Sequence, residues 1–309
     1  MKLPSIFNCS NDMALATDVR QYVPPKRIQQ MESDLCALSE VWDNTPLAGP
    51  WGWSMTTKQR YKQMGFPQDS LPSDEWIQEV RRLSSRKYAC EYIREMLREV
   101  DDDLLLGQEM LWREELTLKE KPPRIFKLPW SSSGRGVFVA KEYDEHVEKR
   151  LRGFITSQGG YVEDCFYEDK MVDFAMEFLI HKDHQVEFLG YSVFHAETTG
   201  TYGYNYVESQ EELKHRIGVD EKLLDRLVTF HQQRLAEISY TGPVGIDMLK
   251  TADGHVHPCL EINLRMNMGI LALILHEKYG TGCTQQLTPM RKQGFEAKVD
   301  KGKLMIVYH

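Results

Sequence analysis

The segment LEINLR (260–265) carries the residue types that could hold a metal-bound phosphate. Its apolar and polar residues alternate, which predicts a β-strand with Glu261, Asn263 and Arg265 on one face. Two oxygen-bearing side chains at this spacing suit Mg²⁺, which prefers hard oxygen ligands, and the arginine could bind the phosphate. A solvated polar face on a half-buried strand would show the same alternation, so the segment alone leaves both interpretations open.

A second carboxylate, Asp247 in VGIDMLK, lies on the strand predicted before LEINLR. A three-residue loop at 252–254 would place Asp247 opposite Cys259 and on the same face as the polar side chains of LEINLR. A two-residue loop would turn Asp247 to the other face. We therefore predict the three-residue loop with Gly254 at positive φ, or a bulge with the same effect.

The segment KLPWSSSGRGV (127–137) forms a small polar loop between two predicted strands. Its glycines allow the backbone to approach a ligand closely, and its N–H groups could surround a phosphate. The lysine precedes the loop, which excludes the Walker pattern, and the chain has no HRD or DFG motif of protein kinases. A polar hairpin turn is the alternative if the loop is taken alone.

Together these segments resemble the ATP-grasp superfamily over about half of the chain, from roughly Arg124 to Gly280. The resemblance is carried by Lys127 with SSSGRGV (131–137), VEDCF (162–166), DFAMEF (173–178), and Asp247 with EINLR (261–265). It implies an α+β ATP-grasp fold in which two α+β subdomains clamp ATP, preceded by a small α/β N-terminal domain. We expect domains at 1–122 and 123–309, divided at Pro122-Pro123, with subdomains at 123–165 and 166–309.

The resemblance also implies a role for each matching residue. The residues that would bind the nucleotide are Lys127, Ser131, Ser132, Ser133, Gly134, Arg135, Gly136, Glu163, Asp164, Cys165 and Asp173. The residues that would bind Mg²⁺ are Asp247, Glu261 and Asn263. Lys127 and Arg265 are the implied catalytic groups, because a cation stabilises the phosphoryl group during its transfer.

Within the nucleotide set, the resemblance divides the contacts among three segments. Lys127 and the serine-glycine loop would reach the phosphates. Glu163 and the backbone near Asp164 and Cys165 would face the adenine edge, with an ordinary surface carboxylate as the alternative for Glu163. Asp173 would hold the ribose hydroxyls, at a position where the family usually has glutamate.

The implied reaction is ATP- and Mg²⁺-dependent ligation of a small-molecule carboxylate to an amine, or of a peptide, through an acyl phosphate. The absence of any Ser-His-Asp or Cys-His signature agrees with this, because such ligation needs no side-chain nucleophile. A kinase-like phosphotransferase and a non-catalytic nucleotide-binding module are the alternatives.

The first 120 residues offer three polar segments that could line a substrate site: FNCSNDMALA (7–16), PWGW (50–53) and LSSRKY (83–88). In the last of these, Arg86 or Lys87 could supply a second basic contact to the nucleotide. Exposed helix charge is an equal alternative for both residues.

The composition limits the partners and the location of the protein. Among 309 residues, a formal net charge of −8 argues against binding along a nucleic-acid backbone. Six scattered cysteines without a CxxC pair indicate the reduced thiols of a cytoplasmic protein. No apolar run has the length that a membrane span needs, and a homodimer is an open possibility.

Overall fold

The computed structural model describes residues 2–131, 136–196 and 202–309. Its α-helices are α1 (Asn11–Thr17), α2 (Lys26–Asp34), α3 (Met55–Gln63), α4 (Asp74–Leu83), α5 (Arg86–Val100), α6 (Glu145–Gln158), α7 (Gln210–Ile217), α8 (Glu221–Ala236) and α9 (Met268–Tyr279). Its strands are β1 (Leu111–Arg113), β2 (Arg124–Lys127), β3 (Val137–Ala140), β4 (Tyr161–Cys165), β5 (Lys170–Ile180), β6 (Val186–Ala196), β7 (Tyr202–Tyr206), β8 (Gly242–Thr251), β9 (Val256–Asn263), β10 (Gln285–Gln286), β11 (Phe295–Asp300) and β12 (Lys303–Tyr308). Short 3-10 helices cover Cys36–Val41 and Gln68–Ser70.

The strands form two antiparallel sheets, as expected for an α+β fold. The small sheet has the order β1-β4-β2-β3, and the large sheet has the order β10-β11-β12-β7-β6-β5-β8-β9. Helix α6 covers one face of the small sheet, where Leu151 packs into a core with Phe126 and Tyr161. Within the described ranges, no helix combines the length and the apolar character that crossing a membrane requires.

Helix α5 lies between the two sheets and touches β4 of the small sheet and β9 of the large sheet. Its buried residues, among them Cys90, Ile93 and Met96, recur at helical spacing and belong to the largest hydrophobic core. Ser85 caps the helix by accepting a hydrogen bond from the Lys87 N–H. The first residue of α5, Arg86, therefore comes to lie at the edge of the space between the sheets.

The N-terminal region packs against the C-terminal part of the large sheet. Phe7, Trp42 and Trp51 share a second core with residues of α9, β11 and β12. Strand β1 precedes Pro122 in the chain but pairs with β4, so the small sheet takes one strand from before the expected boundary. The domain bounds themselves remain predictions.

The β8–β9 hairpin confirms the predicted turn and corrects the predicted register. Gly254 has φ of 94°, and the Thr251 N–H donates to the His255 carbonyl at 3.0 Å. Asp247, however, pairs with Glu261 and not with Cys259, because the register shifts between Asp247 and Leu249. The shift amounts to two residues, which is a full side-chain period, so Asp247 keeps the predicted face.

Candidate active site

Asp247, Glu261 and Asn263 meet on one face of the large sheet. The Asn263 amide nitrogen lies 3.2 Å from Asp247 Oδ2 and 3.4 Å from Glu261 Oε1. The amide oxygen accepts a hydrogen bond from Arg265 Nη2 at 2.8 Å. Asn263 must therefore rotate its amide group before its oxygen can serve as a metal ligand.

The pKa values of the two carboxyl groups are shifted in opposite directions. Burial, and next the neighbouring charge of Glu261, raises the pKa of Asp247 well above its usual value. Burial would also raise the pKa of Glu261, but the guanidinium of Arg86 and a hydrogen bond from Asp247 hold that pKa below its usual value. Of the two carboxyl groups, Asp247 therefore holds a proton more strongly than Glu261, and a cation binding between them would compete with that proton.

Arg265 makes a two-point ion pair with Asp12 of helix α1. Nε lies 2.9 Å from Oδ1, and Nη2 lies 2.9 Å from Oδ2. The backbone beside Arg265 pairs with the loop of PWGW, through a bridge to Gly52 and a 2.8 Å hydrogen bond from Met266 N–H to the Trp51 carbonyl. Two of the three polar segments singled out in the N-terminal region therefore reach this site.

The third segment reaches it through Arg86. Its Nη1 donates to the Leu128 carbonyl at 2.9 Å and to Ser131 Oγ at 2.8 Å, and its Nη2 is paired with Glu261. Lys87 points elsewhere and pairs with Glu114. The cleft around Arg86 has a free volume of about 10 Å³, room for about one water molecule.

The donor set fits Mg²⁺ under two conditions. It offers two carboxylates and one amide, and among the described residues no three His, Cys, Asp or Glu side chains group closely enough to hold a metal ion. Mg²⁺ commonly takes one or two carboxylates and completes its shell with phosphate oxygens and water. The fit requires that the Asn263 amide rotates and that Arg86 leaves Glu261.

Lys127 lies on the small sheet in a sealed group of charges. Its side chain is 9% exposed, and Nζ lies 3.3 Å from Asp164 Oδ2, which in turn lies 3.4 Å from His257 Nε2. Burial opposes the charge on Asp164, but Lys127 and His257 hold its pKa at about 2. The predicted phosphate contact of Lys127 therefore requires it to loosen its ion pair with Asp164.

Glu163 lies on the other face of β4 and is fully buried. Its carboxylate lies 2.9 Å from Arg113 Nε and 3.4 Å from Arg124 Nε. The alternative of an ordinary surface carboxylate is therefore wrong, because the side chain forms a buried ion-pair network. The predicted contact with the adenine edge stays a prediction.

The other residues predicted to bind the nucleotide lie on β4, on β5 and in the loop before β3. Arg124 Nη1 donates to Cys165 Sγ at 3.1 Å, and burial raises the pKa of this thiol to about 11. Asp173 accepts a 2.6 Å hydrogen bond from Lys170, and burial raises its pKa. In the loop, the Gly136 carbonyl accepts from Leu128 N–H at 2.8 Å and Gly136 has φ of 74°. Ser132, Ser133, Gly134 and Arg135 lie outside the described residues.

Two residues at the site, Asp12 and Glu177, had no role predicted from the sequence. Asp12 lies in the polar segment 7–16, but nothing in the sequence pairs it with Arg265, which lies 253 positions away. Glu177 did have a signal in the sequence. It lies four residues after Asp173 in DFAMEF, an even spacing that places both side chains on one face of β5. It pairs with Gly245 on β8, next to the row that holds Asp247.

Known structures share this architecture at low sequence identity. No family model and no curated protein matches the sequence. N5-carboxyaminoimidazole synthetase from Staphylococcus aureus, complexed with ADP, matches at a TM-score of 0.51 and 12% identity, over 100% of this chain and 93% of that one. Biotin carboxylase from Campylobacter jejuni, complexed with β,γ-ATP, matches at 0.52 and 13% identity, over 73% of this chain. Pyruvate carboxylase from Rhizobium etli matches at 0.50 and 13% identity, over 65% of this chain.

The chain spans 50% of the length of that biotin carboxylase and 17% of that pyruvate carboxylase. At 12–13% identity these likenesses concern the fold alone. The mixture of helices and antiparallel sheets is consistent with that fold. The protein has the ATP-grasp fold.

Proposed function

We propose that the protein is an ATP- and Mg²⁺-dependent ligase that joins a carboxylate to an amine through an acyl phosphate. One observation carries the proposal: the single side chain of Arg86 contacts both Ser131 and Glu261. The start of the serine-glycine loop and the predicted metal carboxylates thus lie within the span of one guanidinium group. A phosphate chain held by the loop would lie against the metal ligands.

The proposed roles follow from this arrangement. Asp247, Glu261 and Asn263 hold Mg²⁺, which when bound neutralises charge on the phosphates. Lys127 and Arg265 bind the transferred phosphoryl group, and the loop 131–136 covers the phosphates from the side of the small sheet. Glu163, with the backbone of Asp164 and Cys165, faces the adenine edge, and Asp173 binds the ribose.

Binding of the nucleotide requires the cleft to open. A bound ligand of this class usually occupies a pocket of about 300–1,000 Å³, and the free volume here is about 10 Å³. Arg86 fills the space next to Glu261, so its departure opens the metal site. Freed from Glu261, the guanidinium stays near Ser131 and can supply the second basic contact to the phosphates.

The reaction proceeds in two transfers. An oxygen of the substrate carboxylate attacks the γ-phosphorus, and ADP leaves with the electrons of the broken bond. The amine nitrogen then attacks the acyl carbon, phosphate leaves, and the nitrogen loses its extra proton to give the amide. The protein contributes positioning and charge stabilisation, which agrees with a site built from carboxylates and arginines.

The structural matches support the nucleotide part of this proposal. The Staphylococcus aureus synthetase was crystallised with ADP and the Campylobacter jejuni carboxylase with β,γ-ATP, and both share the fold of this chain. The identities of the carboxylate and the amine are not carried over from either protein.

The test is incubation of the protein with ATP, MgCl₂ and pools of amino acids, which offer both a carboxylate and an amine. A ligase releases ADP and phosphate together with a coupled product, and ¹⁸O placed in the substrate carboxylate appears in the released phosphate. A stable phosphorylated product without free phosphate would identify a kinase. ATP binding without ADP formation across carboxylate and amine panels would favour a non-catalytic module.

A further inference from the structure

Glu177 is a buried carboxylate beside the predicted metal ligands. It is 1% exposed and lies on β5, where it pairs with Gly245 of β8, which in turn pairs with Asn263 of β9. Its two oxygens accept hydrogen bonds from Ser192 Oγ and from Asn267 Nδ2, each at 2.7 Å. Both donors are neutral, so among the described residues this carboxylate has hydrogen bonds but no direct ion pair.

Two glycines make room for Glu177. A Cβ atom on Gly245 would lie 2.6 Å from Glu177 Oε2 and 2.1 Å from the Asn267 amide nitrogen. A Cβ atom on Gly269 would lie 2.1 Å from Glu177 Oε1. Real Cβ contacts are not this short, so the position of the carboxylate depends on glycine on both sides.

Asn267 connects Glu177 to the predicted catalytic arginine. It is the N-cap of α9, and its Oδ1 accepts a 2.8 Å hydrogen bond from the Ile270 N–H. Its Nδ2 donates to Glu177, so both ends of the amide are engaged. Arg265 lies two residues earlier, on the turn that joins β9 to α9.

We propose that Glu177 is a positioning residue: by holding Asn267, it fixes the turn 264–267 and thereby the direction of Arg265. Packing alone would not need a carboxylate here, because a buried acid without a cation is costly compared with an apolar side chain of the same size. The hydrogen bond to Asn267 gives the acid a specific task. The link from Arg265 to phosphate rests on the proposed function, whereas the hold on the turn does not.

Hydrogen exchange without any nucleotide tests whether Glu177 fixes the turn 264–267. Glu177→Ala should raise backbone exchange in peptides covering 264–270, because Asn267 loses its acceptor. Glu177→Gln keeps a side chain that can accept from Asn267 and donate to Ser192, so it should stay close to wild type. Glu296→Ala is the matched control: Glu296 is also 1% exposed and lies in the same sheet, where it faces His309.

Asn267→Asp separates the hold on the turn from helix capping. Aspartate is as good an N-cap as asparagine, so α9 keeps its cap, but the donor to Glu177 is lost. This variant should show the same increase at 264–270 as Glu177→Ala. If Glu177→Ala and Asn267→Asp both leave exchange at 264–270 at the wild-type level, the proposal is wrong, and so it is if Glu296→Ala raises it equally.

Affinity for the Mg²⁺ complex of the β,γ-imido analogue of ATP tests the consequence for Arg265, because this probe carries the γ-phosphoryl group that Arg265 is proposed to bind. Glu177→Ala and Asn267→Asp should each raise the dissociation constant of this analogue about tenfold, the scale of one lost hydrogen bond to a charged group, while Glu177→Gln retains near wild-type affinity. A wild-type protein that does not bind the analogue would overturn the proposed function, and the exchange pattern would still decide whether Glu177 fixes the turn. Increased exchange with unchanged affinity for the analogue would overturn the positioning of Arg265.

Discussion

The two sheets hold their charged residues in different ways. On the large sheet, Glu261, Arg265 and their partner Asp12 are partly open, with side chains 22%, 15% and 14% exposed. Their partners come from the N-terminal region, outside the sheet. On the small sheet, Lys127 and Glu163 are 9% and 0% exposed, and their partners come from neighbouring strands.

The ion pairs of the two sheets therefore differ in how readily they can be exchanged. Arg86 and Asp12 are carried by α5 and α1, so they can leave the large-sheet carboxylates and arginine without breaking a strand pair. On the small sheet, removal of one partner would leave a buried charge with fewer compensating contacts, which is destabilising. The large sheet therefore holds the exchangeable ion pairs of the candidate site. On the small sheet the ion pairs of Glu163 form a fixed frame, whereas Lys127 must loosen its pair with Asp164 to make the proposed phosphate contact.

The largest expected effect tests the fixed frame. Glu163→Ala should lower the free energy of unfolding by about 3–5 kcal/mol, because two arginines lose a buried partner: Arg113 loses its 2.9 Å contact, and Arg124, which keeps its pair with Glu109, loses the acceptor near its buried Nε. Denaturant unfolding measures this, with Glu120→Ala as the control, since Glu120 faces the same Arg113 from an exposed position at 3.9 Å. A loss of less than about 1 kcal/mol, the range of an exposed pair, would mean that Glu163 is not part of a sealed frame.

A smaller effect should appear in the pH dependence of stability at the large sheet. Burial raises the pKa of Glu177 to about 7, from 4.5 in the unfolded chain, while Arg265 opposes the shift. The unfolded state therefore releases this proton first, so the contribution of Glu177 to stability is present below pH 4.5 and is lost as pH rises towards 7. At about 1.4 kcal/mol per pH unit, Glu177→Gln should gain roughly 3 kcal/mol over wild type between pH 4.5 and 8.

Urea unfolding at several pH values measures this difference. Glu296→Gln serves as the control for loss of a buried glutamate far from the site. A difference between wild type and Glu177→Gln that stays constant from pH 4.5 to 8 would contradict the raised pKa, and with it the contrast between Glu177 and the paired carboxylates of the small sheet.

The smallest effect concerns the exchangeable ion pair between Arg86 and Glu261 on the large sheet. Arg86 competes with any cation for Glu261, so Arg86→Gln should tighten the binding of Mn²⁺, used in place of Mg²⁺ without nucleotide, about tenfold. Titration followed by electron paramagnetic resonance measures the dissociation constant. Lys87→Gln is the control, because its exposed pair with Glu114 lies away from the carboxylates. Unchanged or weaker binding in Arg86→Gln would show that Arg86 does not close the metal site.

The sequence predicted the face of the large sheet better than it predicted the partners of that face. Strand alternation is local, so Asp247, Glu261 and Asn263 could be placed together from the period of two and the turn at Gly254. The bulge that pairs Asp247 with Glu261 left no mark in the pattern, because a shift of two residues preserves the face. The polar segments of the N-terminal region were predicted to line a substrate site, but the contacts of Asp12 with Arg265 and of Arg86 with Glu261 were not predicted.

The partners on the small sheet were harder to predict. A surface carboxylate was the alternative interpretation of Glu163, because nothing in VEDCF shows that Arg113 and Arg124 converge on this residue. Lys127 was expected to face phosphate, and its ion pair with Asp164 depends on strand pairing between β2 and β4. Such contacts join distant segments, and a single sequence carries no local signal for them.

Thermal stability with ATP, with and without MgCl₂, on wild type and on Glu261→Gln tests whether the carboxylates of the large sheet bind a nucleotide-bound metal ion. A ligand at about a hundred times its dissociation constant adds about 2.7 kcal/mol to stability, which is readily seen. ATP with Mg²⁺ should stabilise wild type, and Glu261→Gln should lose the metal-dependent part of the shift. An active wild-type preparation that shows no shift with ATP and Mg²⁺, or a Glu261→Gln variant that keeps the full metal-dependent shift, would contradict the proposed metal and nucleotide site.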